Sequence, residues 1–273
     1  MEKMNLKEIQ TISLDILKDV HDFCVKNGIR YSLAYGTLIG AIRHKGFIPW
    51  DEDVDLFMPR PDYERFCKSY QSPLFKLISS YDENSYIAFS RVCEMDKTLV
   101  KDYVPWCTIP TGVWIDIFPL DGAEDNKEEF DKRYAKANKY WWLLYRNRGA
   151  KNIFSSEYSF KEIIKLLLKK ILYFNGINLK KNLKKFNAVI QQYKFEECEH
   201  WGQLSCCDNG SNEYNLTSDF NELILVDFEQ FKFYSLKNYD KVLRSEYGNY
   251  MQLPPEKDRK PKQTIMHFYW KTK

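Results

Sequence analysis

The chain has 273 residues, in which 41 Lys and Arg stand against 38 Asp and Glu, giving a formal net charge of +3. Hydrophobic residues make up 44% of the chain, which is a globular composition and excludes a disordered protein. The nearly balanced charge argues against binding to nucleic acid, because non-specific binding of that kind needs a concentrated basic face. Seven scattered cysteines, without a signal-peptide core or a membrane-length apolar stretch, predict a cytoplasmic protein with reduced thiols.

The first half of the chain predicts short helices and strands. Apolar residues recur at helical spacing over residues 9–24, and Gly28 supplies a helix stop. Four strands are predicted over residues 29–34, 54–58, 87–92 and 113–118. Pro119 is expected to close the last of these strands, and Pro61 to lie in the first turn of a helix.

The second half, beyond Asp121, is rich in aromatic residues and predicts mainly helices. The predicted elements are a helical stripe over residues 130–145, helices over 163–174 and 183–193, strands over 223–228 and 231–234, and a helix over 239–247. This order predicts an α+β fold, a mixed sheet flanked by helices with a helical insertion. We interpret residues 1–273 as a single domain, with a core of 1–124 and 215–273, an insertion over 125–193 and a loop over 194–214.

Four carboxylates fall within five residues, in the run Asp51-Glu52-Asp53-Val54-Asp55. In a strand, Asp51, Asp53 and Asp55 share one face, since side chains alternate. Carboxylates this close raise one another's pKa values and destabilise the fold unless positive charge lies among them. An oxygen-preferring divalent cation such as Mg²⁺ is the natural partner, and a solvated acidic turn is the alternative.

Two neighbouring features favour the metal site. Gly36 and Thr37 follow a predicted strand and open a short helix, an arrangement in which backbone and hydroxyl can approach a phosphate. Asp116 lies among Ile and aromatic residues in a predicted strand, where a carboxylate is costly to bury unless it is paired or bound to metal. Gly-Thr, Asp-X-Asp and a later strand Asp together make up the arrangement of the nucleotidyltransferase fold, whose sheet is shared with polymerase β-like enzymes.

A long and specific resemblance to the LicD family, to which fukutin is related, is carried by residues 35–55, YGTLIGAIRHKGFIPWDEDVD. Three further segments are similar to that family: Arg91 with Glu94 and Thr98, residues 114–121, and residues 247–255. The likeness is weakest between residues 126 and 214.

The resemblance implies a metal-dependent transferase that moves phosphocholine from CDP-choline to a sugar hydroxyl of a cell-surface glycan and releases CMP. Ribitol phosphate, glycerol phosphate, phosphoethanolamine and aminoethylphosphonate are alternative substituents, each carried on its CDP or CMP conjugate. Two other hypotheses stay open: a catalytically silent nucleotide-binding subunit of a glycan assembly complex, and a nucleotidyltransferase that consumes a nucleoside triphosphate. The cofactor is expected to be Mg²⁺ or Mn²⁺.

The resemblance also implies roles for individual residues. The expected metal ligands and catalytic residues are Asp53, Asp55 and Asp116, of which Asp116 is also the candidate general base. The residues expected to contact the CDP conjugate or its metal are Tyr35, Gly36, Thr37, Arg43, Lys45, Asp51 and Arg91. Among them, Gly36 and Thr37 would face the pyrophosphate, and Arg43, Lys45 and Arg91 would neutralise its charge.

Three weaker signals leave alternatives open. The cysteines and histidine of one short segment are zinc ligands or unremarkable side chains: Cys198, His200, Cys206 and Cys207. The basic amphipathic helix around residues 161–170 either packs on the core or lies on the inner face of the membrane, near a lipid-linked acceptor. Trp141 and Trp142 either line a pocket for a quaternary ammonium or pack in the core. The oligomeric state is not predicted.

Overall fold

The computed structural model describes residues 1–82, 85, 87–100, 111–147, 160–161, 163–164, 167, 179–207, 210–261 and 267–271, which form a mixed α+β fold. The helices are α1 (Leu6–Asn27), α2 (Tyr35–Ile39), α3 (Arg60–Ser69), α4 (Lys127–Asn147), α5 (Leu179–Ile190) and α6 (Tyr239–Tyr247). The strands are β1 (Ser32–Leu33), β2 (Asp55–Pro59), β3 (Lys76–Ile78), β4 (Ser90–Cys93), β5 (Thr98–Val100), β6 (Trp114–Ala123), β7 (His200–Gly202), β8 (Tyr214–Leu216), β9 (Leu223–Phe228), β10 (Phe231–Leu236) and β11 (Phe268–Trp270).

Strand β6 organises the main sheet. Its first part lies between β2, to which it is parallel, and β4, to which it is antiparallel, in the strand order β1-β2-β6-β4-β3. Its last three residues pair with β7, which in turn pairs with β8. Two separate antiparallel pairs, β9–β10 and β5–β11, complete the described strands.

The N-terminal helix α1 begins and ends as its sequence predicts. Asn5 and Glu8 form a reciprocal capping box, in which each side chain accepts a hydrogen bond from the other residue's backbone N–H. Gly28 ends the helix in the left-handed conformation, at φ 59°, which costs a glycine little. The predicted helix is therefore confirmed.

The prediction that Pro119 closes its strand is wrong, because β6 continues to Ala123. On one side, β4 pairs with β6 only as far as Ile117, and β7 begins to pair at Asp121. Pro119 falls in the gap between these partners, where its missing N–H removes no hydrogen bond from that edge. Ten residues of uninterrupted strand are the result.

Other element boundaries also differ from the predictions. The segment 194–214, predicted as a loop, contributes β7, and the predicted strand over 29–34 pairs only at Ser32 and Leu33. The predicted helix over 163–174 lies outside the described residues, apart from 163, 164 and 167. In the part of the chain that the structure describes, no helix combines the length and apolar character needed to cross a bilayer.

Alternation along the strands divides the core between the two faces of the sheet. On β2, Leu56 and Met58 belong to a cluster that includes the buried face of α1, whereas Phe57 points to the opposite cluster. On β6, Ile117 lies on the α1 side and Phe118 on the other. The second cluster also contains buried residues of α4, α5 and β7, so this face of the sheet packs against the later part of the chain.

The two ends of the chain lie together. β11 pairs with β5, and its flanks also bind the first residues: Met4 donates its N–H to the carbonyl of Phe268 (2.9 Å), and Trp270 donates to the carbonyl of Glu2 (2.9 Å). The indole Nε1 of Trp270 donates to Glu8 Oε1 at 3.1 Å, which joins β11 to the capping box of α1.

Candidate active site

Three polar residues form one row across the sheet. Asp55 on β2 is in register with Asp116 on β6, and Asp116 is in register with Arg91 on β4. Cross-strand partners point to the same face, so two carboxylates and one guanidinium meet in this row. The parallel pairing of β2 with β6 thus brings together two carboxylates that are far apart in the sequence.

Two donors hold the carboxylate of Asp116. Arg91 Nε donates to Oδ1 at 2.6 Å, and Trp114 Nε1 donates to Oδ2 at 3.2 Å. Burial raises the pKa of Asp116 by more than Arg91 lowers it. Arg91, expected to neutralise donor phosphate, is therefore placed on Asp116 and over the ring of Trp114, 4.5 Å from its centroid.

The acidic run 51–55 wraps against the start of α2. Asp53 is exposed and close enough to Asp116 to raise the pKa of that carboxyl. Asp51 lies against Gly36, where an added Cβ would stand 2.5 Å from Asp51 Oδ2. The absent side chain of Gly36 therefore makes room for a carboxylate, a contact that its predicted role beside a pyrophosphate does not anticipate.

Thr37 fixes the beginning of β2. Its Oγ1 accepts the backbone N–H of Asp55 at 2.9 Å, and the Asp55 carbonyl accepts from the N–H of Ala34 at 3.0 Å. These two bonds set the position of Asp55 relative to α2. Thr37 is buried, so the structure assigns its hydroxyl to the support of Asp55.

Arg43 and Lys45 lie toward the C-terminal part of the chain. Arg43 donates to the backbone carbonyls of Tyr250 and Gln252, and thereby tethers the segment that follows α6. Lys45 is exposed, and it adds a small contribution to the lowered pKa of Asp227 on β9, which is due mainly to the ion pair of Asp227 with Lys232. The sequence predicts that both residues neutralise the charge of a donor phosphate. They would have to do so from positions beside residues 250–252 and Asp227.

Tyr35 is buried beside the row rather than in it. Its ring packs edge-on against Phe57 and Phe118, at centroid distances of 4.8 and 5.5 Å. Burial raises the pKa of its hydroxyl, and the negative charges of Glu213 and Glu246 raise it further. The residue has a φ of 48°, an uncommon value for a side chain of this size, and it begins α2.

Sequence reasoning missed Glu213, Glu246 and Tyr247. After burial, Glu213 and Glu246 raise the pKa of Tyr35. After burial, Glu246, Asp55 and Glu213 raise the pKa of Tyr247. Tyr247 belongs to the segment 247–255 that carries the family resemblance, and this was the available signal. The two glutamates are isolated acidic residues without any pattern.

The four residues weighed as zinc ligands are not brought together. Among the described residues, the one group of three candidate ligands within 4.8 Å consists of Asp125, Glu199 and His200, and it contains no cysteine. His200 stacks on Tyr214 at a centroid distance of 4.5 Å, which accounts for its position without a metal.

Trp141 packs in the core. It is buried and packs against Phe186 of α5, with ring centroids 6.3 Å apart. Trp142, by contrast, is exposed. The core-packing alternative is therefore correct for Trp141.

Comparisons with known proteins agree with the resemblance read from the sequence. The family model described as LicD/FKTN/FKRP, nucleotidyltransferase domain, matches residues 28–161. The lipopolysaccharide cholinephosphotransferase LicD of Haemophilus influenzae is 32% identical over 276 residues, which cover 96% of this chain and 97% of that protein. An uncharacterized protein of Rickettsia typhi is 37% identical over 67 residues, 24% of this chain and 22% of that protein. An uncharacterized protein of Rickettsia prowazekii is 38% identical over 63 residues, 23% of this chain and 24% of that protein.

The Haemophilus protein is similar along nearly the whole of both chains, and the family model covers the segment that contains Asp55 and Asp116. The chain therefore belongs to the LicD family, and it is a phosphotransferase.

Proposed function

We propose that this enzyme transfers phosphocholine from CDP-choline to a sugar hydroxyl of a cell-surface glycan and releases CMP. The observation that carries the proposal is the row of Asp55 and Asp116, with Asp53 beside it, in a chain that is similar over nearly its full length to a lipopolysaccharide cholinephosphotransferase. The proposal includes a nucleotidyltransferase-like fold with its core in residues 1–124 and 215–273. It also includes a cytoplasmic location, with the acceptor glycan carried on a lipid at the inner face of the membrane.

The residues present supply the donor chemistry of a divalent-cation site, but the oxygens of Asp53, Asp55 and Asp116 do not all lie within 4.8 Å of one another, so a bound cation would have to draw them together. Asp53, Asp55 and Asp116 offer carboxylate oxygens, the ligands that Mg²⁺ and Mn²⁺ prefer, and Asp53 already raises the pKa of Asp116. Bringing these charges together is unfavourable without a cation, and Arg91 supplies one positive charge, which pairs with Asp116. When bound there, the metal would neutralise the donor phosphate and stabilise the oxygen that leaves with CMP.

The protein's own groups perform the remaining steps. Arg91 and Trp114 fix the plane of the Asp116 carboxylate, so its oxygens hold one direction relative to Asp55. Asp116 Oδ2, which receives the longer of the two hydrogen bonds, accepts the proton of the attacking sugar hydroxyl. Thr37 holds Asp55 in place through its backbone, and Arg43 positions the segment after α6 beside the site.

Metal-dependent donor binding and turnover test this proposal. The purified chain is titrated by calorimetry with CDP-choline, CDP-ethanolamine, CDP-ribitol, CDP-glycerol and CTP, with Mg²⁺ and with EDTA, and CMP release is followed with a glycan acceptor. We expect CDP-choline to bind most tightly and only with metal. Preference for another CDP conjugate would replace the substituent, and pyrophosphate release from CTP would contradict the proposed reaction.

Substitution of the carboxylates tests the site itself. Asp55→Asn and Asp116→Asn should each lower kcat/KM for CMP release by about 10³-fold, since several kcal/mol of transition-state stabilisation depend on them. Asp22→Asn is the matched control, because Asp22 is exposed on α1 and pairs only with Lys18 among the described salt bridges. Turnover that survives in both variants would mean that the row is not the active site, and turnover absent from the parent would favour a silent subunit.

A further inference from the structure

The loop over residues 45–51 joins the end of α2 to the acidic run. Helix α2 continues as a π-helical turn, Gly40–His44, which ends at Lys45 in the left-handed conformation, with a φ of 60°. The loop ends at Asp51, the first carboxylate of the run. Two residues expected to contact the CDP conjugate or its metal, Lys45 and Asp51, therefore depend on how this loop is held.

One side of the loop packs directly on the helical backbone. An added Cβ on Gly40 would stand 2.4 Å from the carbonyl oxygen of Gly46, and the N–H of Gly46 donates to the carbonyl of Gly40 at 3.4 Å. Two backbones can approach this closely because Gly40 has no side chain. The next residue, Phe47, is buried, and its ring lies 4.9 Å from that of Phe228 at the end of β9.

The tip of the β9–β10 hairpin holds the loop from the other side, through Glu229. The backbone N–H of this residue donates to the carbonyl of Lys45 at 2.8 Å, and its Oε1 accepts the N–H of Phe47 at 3.1 Å. An added Cβ on Gly46 would stand 2.4 Å from the same Oε1. One residue thus makes two hydrogen bonds to the loop and covers the glycine between them.

The turn between β9 and β10 does not explain why a glutamate stands at its tip. A two-residue hairpin turn favours glycine, asparagine or aspartate at its first position, because φ is positive there. Glu229 occupies this position with a φ of 52°, and the other non-glycine residues with positive φ among those described are Tyr35 and Lys45, at the two ends of the same helical segment. The contact of its carboxylate with the Phe47 N–H is a reason for a glutamate that the turn itself does not supply.

The far end of the loop is held separately, by helix α1. Gln10 is buried, and its Nε2 donates to the carbonyl of Asp51 at 2.9 Å, while the N–H of Asp51 donates to the carbonyl of Ile48 at 2.9 Å. Release of the hairpin tip should therefore free the start of the loop and leave its end in place. The residue at that start is Lys45, whose side chain is exposed and available to a ligand.

We propose that Glu229 is a positioning residue for donor binding: it holds residues 45–47 so that the amino group of Lys45 stays in place for the pyrophosphate of the CDP conjugate. This inference rests on the proposed function, and it adds the β9–β10 hairpin to the parts of the chain that build the site. A fixed charge that meets the pyrophosphate both before and during the reaction changes KM and leaves kcat nearly constant.

Steady-state kinetics of CMP release test the role of the carboxylate. Glu229→Gly removes it, and a glycine adopts the positive φ readily, so the hairpin should still form. We expect KM for CDP-choline to rise about threefold to tenfold, as for the loss of one hydrogen bond, with kcat within about twofold of the parent. Glu229→Gln keeps an acceptor for the Phe47 N–H and should restore the parental KM. Glu222→Gln is the matched control, because Glu222 is an exposed acid at the open end of the same hairpin that pairs with Lys237.

The Lys45→Met background shows whether Glu229 acts through Lys45. Lys45→Met alone should raise KM at least as much as Glu229→Gly, and Glu229→Gly should cause no further rise once the amino group is gone. Independent losses that multiply in the double variant would overturn the inference. It would also be overturned by a parental KM in Glu229→Gly, by a raised KM that Glu229→Gln does not restore, or by a loss that appears in kcat alone.

Hydrogen exchange measured by mass spectrometry, without any ligand, separates this inference from the proposed function. Peptides that cover residues 45–50 should exchange faster in Glu229→Gly than in the parent, and at the parental rate in Glu229→Gln. Unchanged exchange would refute the inference even in an active enzyme. If exchange changes as expected but the parent turns over no CDP conjugate, the proposed function is wrong, and Glu229 positions the loop for another anionic ligand of Lys45.

Discussion

Gly36 has no room for a side chain, because the carboxylate of Asp51 occupies the space where a Cβ would stand, 2.5 Å from Oδ2. In Gly36→Ala that carboxylate must move, while the helix gains a better helix former. We expect kcat/KM to fall about tenfold, equivalent to about 1.4 kcal/mol in the transition state, with little change in the free energy of unfolding. Kinetics and denaturant unfolding on the same variant separate the two effects.

The Asp51→Ala background makes this prediction specific. Once the Asp51 carboxylate is gone, a Cβ at position 36 contacts no other atom of the described residues within 4 Å. In this background Gly36→Ala should therefore cause no further loss of kcat/KM. Independent, additive losses in the double variant would show that the effect comes from the backbone of α2 and not from Asp51.

Thr37 supports Asp55 through one buried hydrogen bond, from the Asp55 N–H to Thr37 Oγ1. Thr37→Val keeps the shape but leaves that N–H without its acceptor, which should lower the free energy of unfolding by about 1–3 kcal/mol. Thr37→Ser keeps the acceptor and should lose about 1 kcal/mol or less, for the buried methyl. Urea unfolding compares the two, and equal losses would mean that the hydrogen bond contributes nothing.

At the scale of elements, helix α3 is joined to β6 by a buried, two-pronged ion pair. Arg60 donates Nε and Nη2 to Asp121 Oδ1 and Oδ2, at 2.7 and 2.6 Å, and both side chains are buried. Asp121→Asn leaves the guanidinium buried without its counter-charge and should cost about 3–5 kcal/mol of stability. Thermal and denaturant unfolding measure the loss, with the exposed Asp22→Asn as control.

An apolar replacement of the whole pair gives the counter-test. Arg60→Met combined with Asp121→Leu removes both buried charges together, so it should be more stable than Asp121→Asn alone. A double variant as unstable as the single one would mean that packing, not uncompensated charge, sets the cost.

Elements with a repeated pattern could be predicted from the sequence, and short ones could not. The apolar spacing, capping box and Gly28 predict α1, and alternation predicts the β9–β10 pair, which the structure contains. Strands of three residues, such as β7, β8 and β11, place at most two side chains on one face, so no periodicity identifies them. Their pairing depends on partners distant in the chain.

The same limit applies to the candidate site. Alternation on two predicted strands is enough to place Asp55 and Asp116 on definite faces, and the structure brings the two together. Glu213 and Glu246 reach Tyr35 only because β8 and α6 fold back onto the sheet, an arrangement of the tertiary structure that local patterns do not contain. Arg91 likewise pairs with Asp116 through the register of β4, which the sequence leaves open.

At the scale of the whole molecule, Glu246 should make stability depend on pH. Burial raises its pKa from 4.5 to about 7, so between these values the folded protein holds a proton that the unfolded chain has lost. The contribution of this group to the free energy of unfolding is therefore largest below about pH 4.5. It decreases by about 1–3 kcal/mol as pH rises from there to about 7.

Glu246→Gln removes this titration, since the amide stays neutral at every pH. Urea unfolding at a series of pH values from 4.5 to 8 should show a shallower decline for the variant than for the parent. Parallel curves would mean that Glu246 keeps an ordinary pKa in the folded protein.

The contact of β11 with the first residues has a consequence for how the protein is made. Trp270 and Glu8 are 262 residues apart, so a ribosome that adds about 5–20 residues per second exposes the amino terminus for roughly 13–50 seconds before its partner is synthesised. Throughout that interval the first residues of the nascent chain lack the backbone partners that β11 provides, and they are accessible to chaperones and proteases. A polypeptide cut short before Phe268 would therefore keep Asp53, Asp55 and Asp116 but would leave its first residues without the backbone partners that β11 supplies.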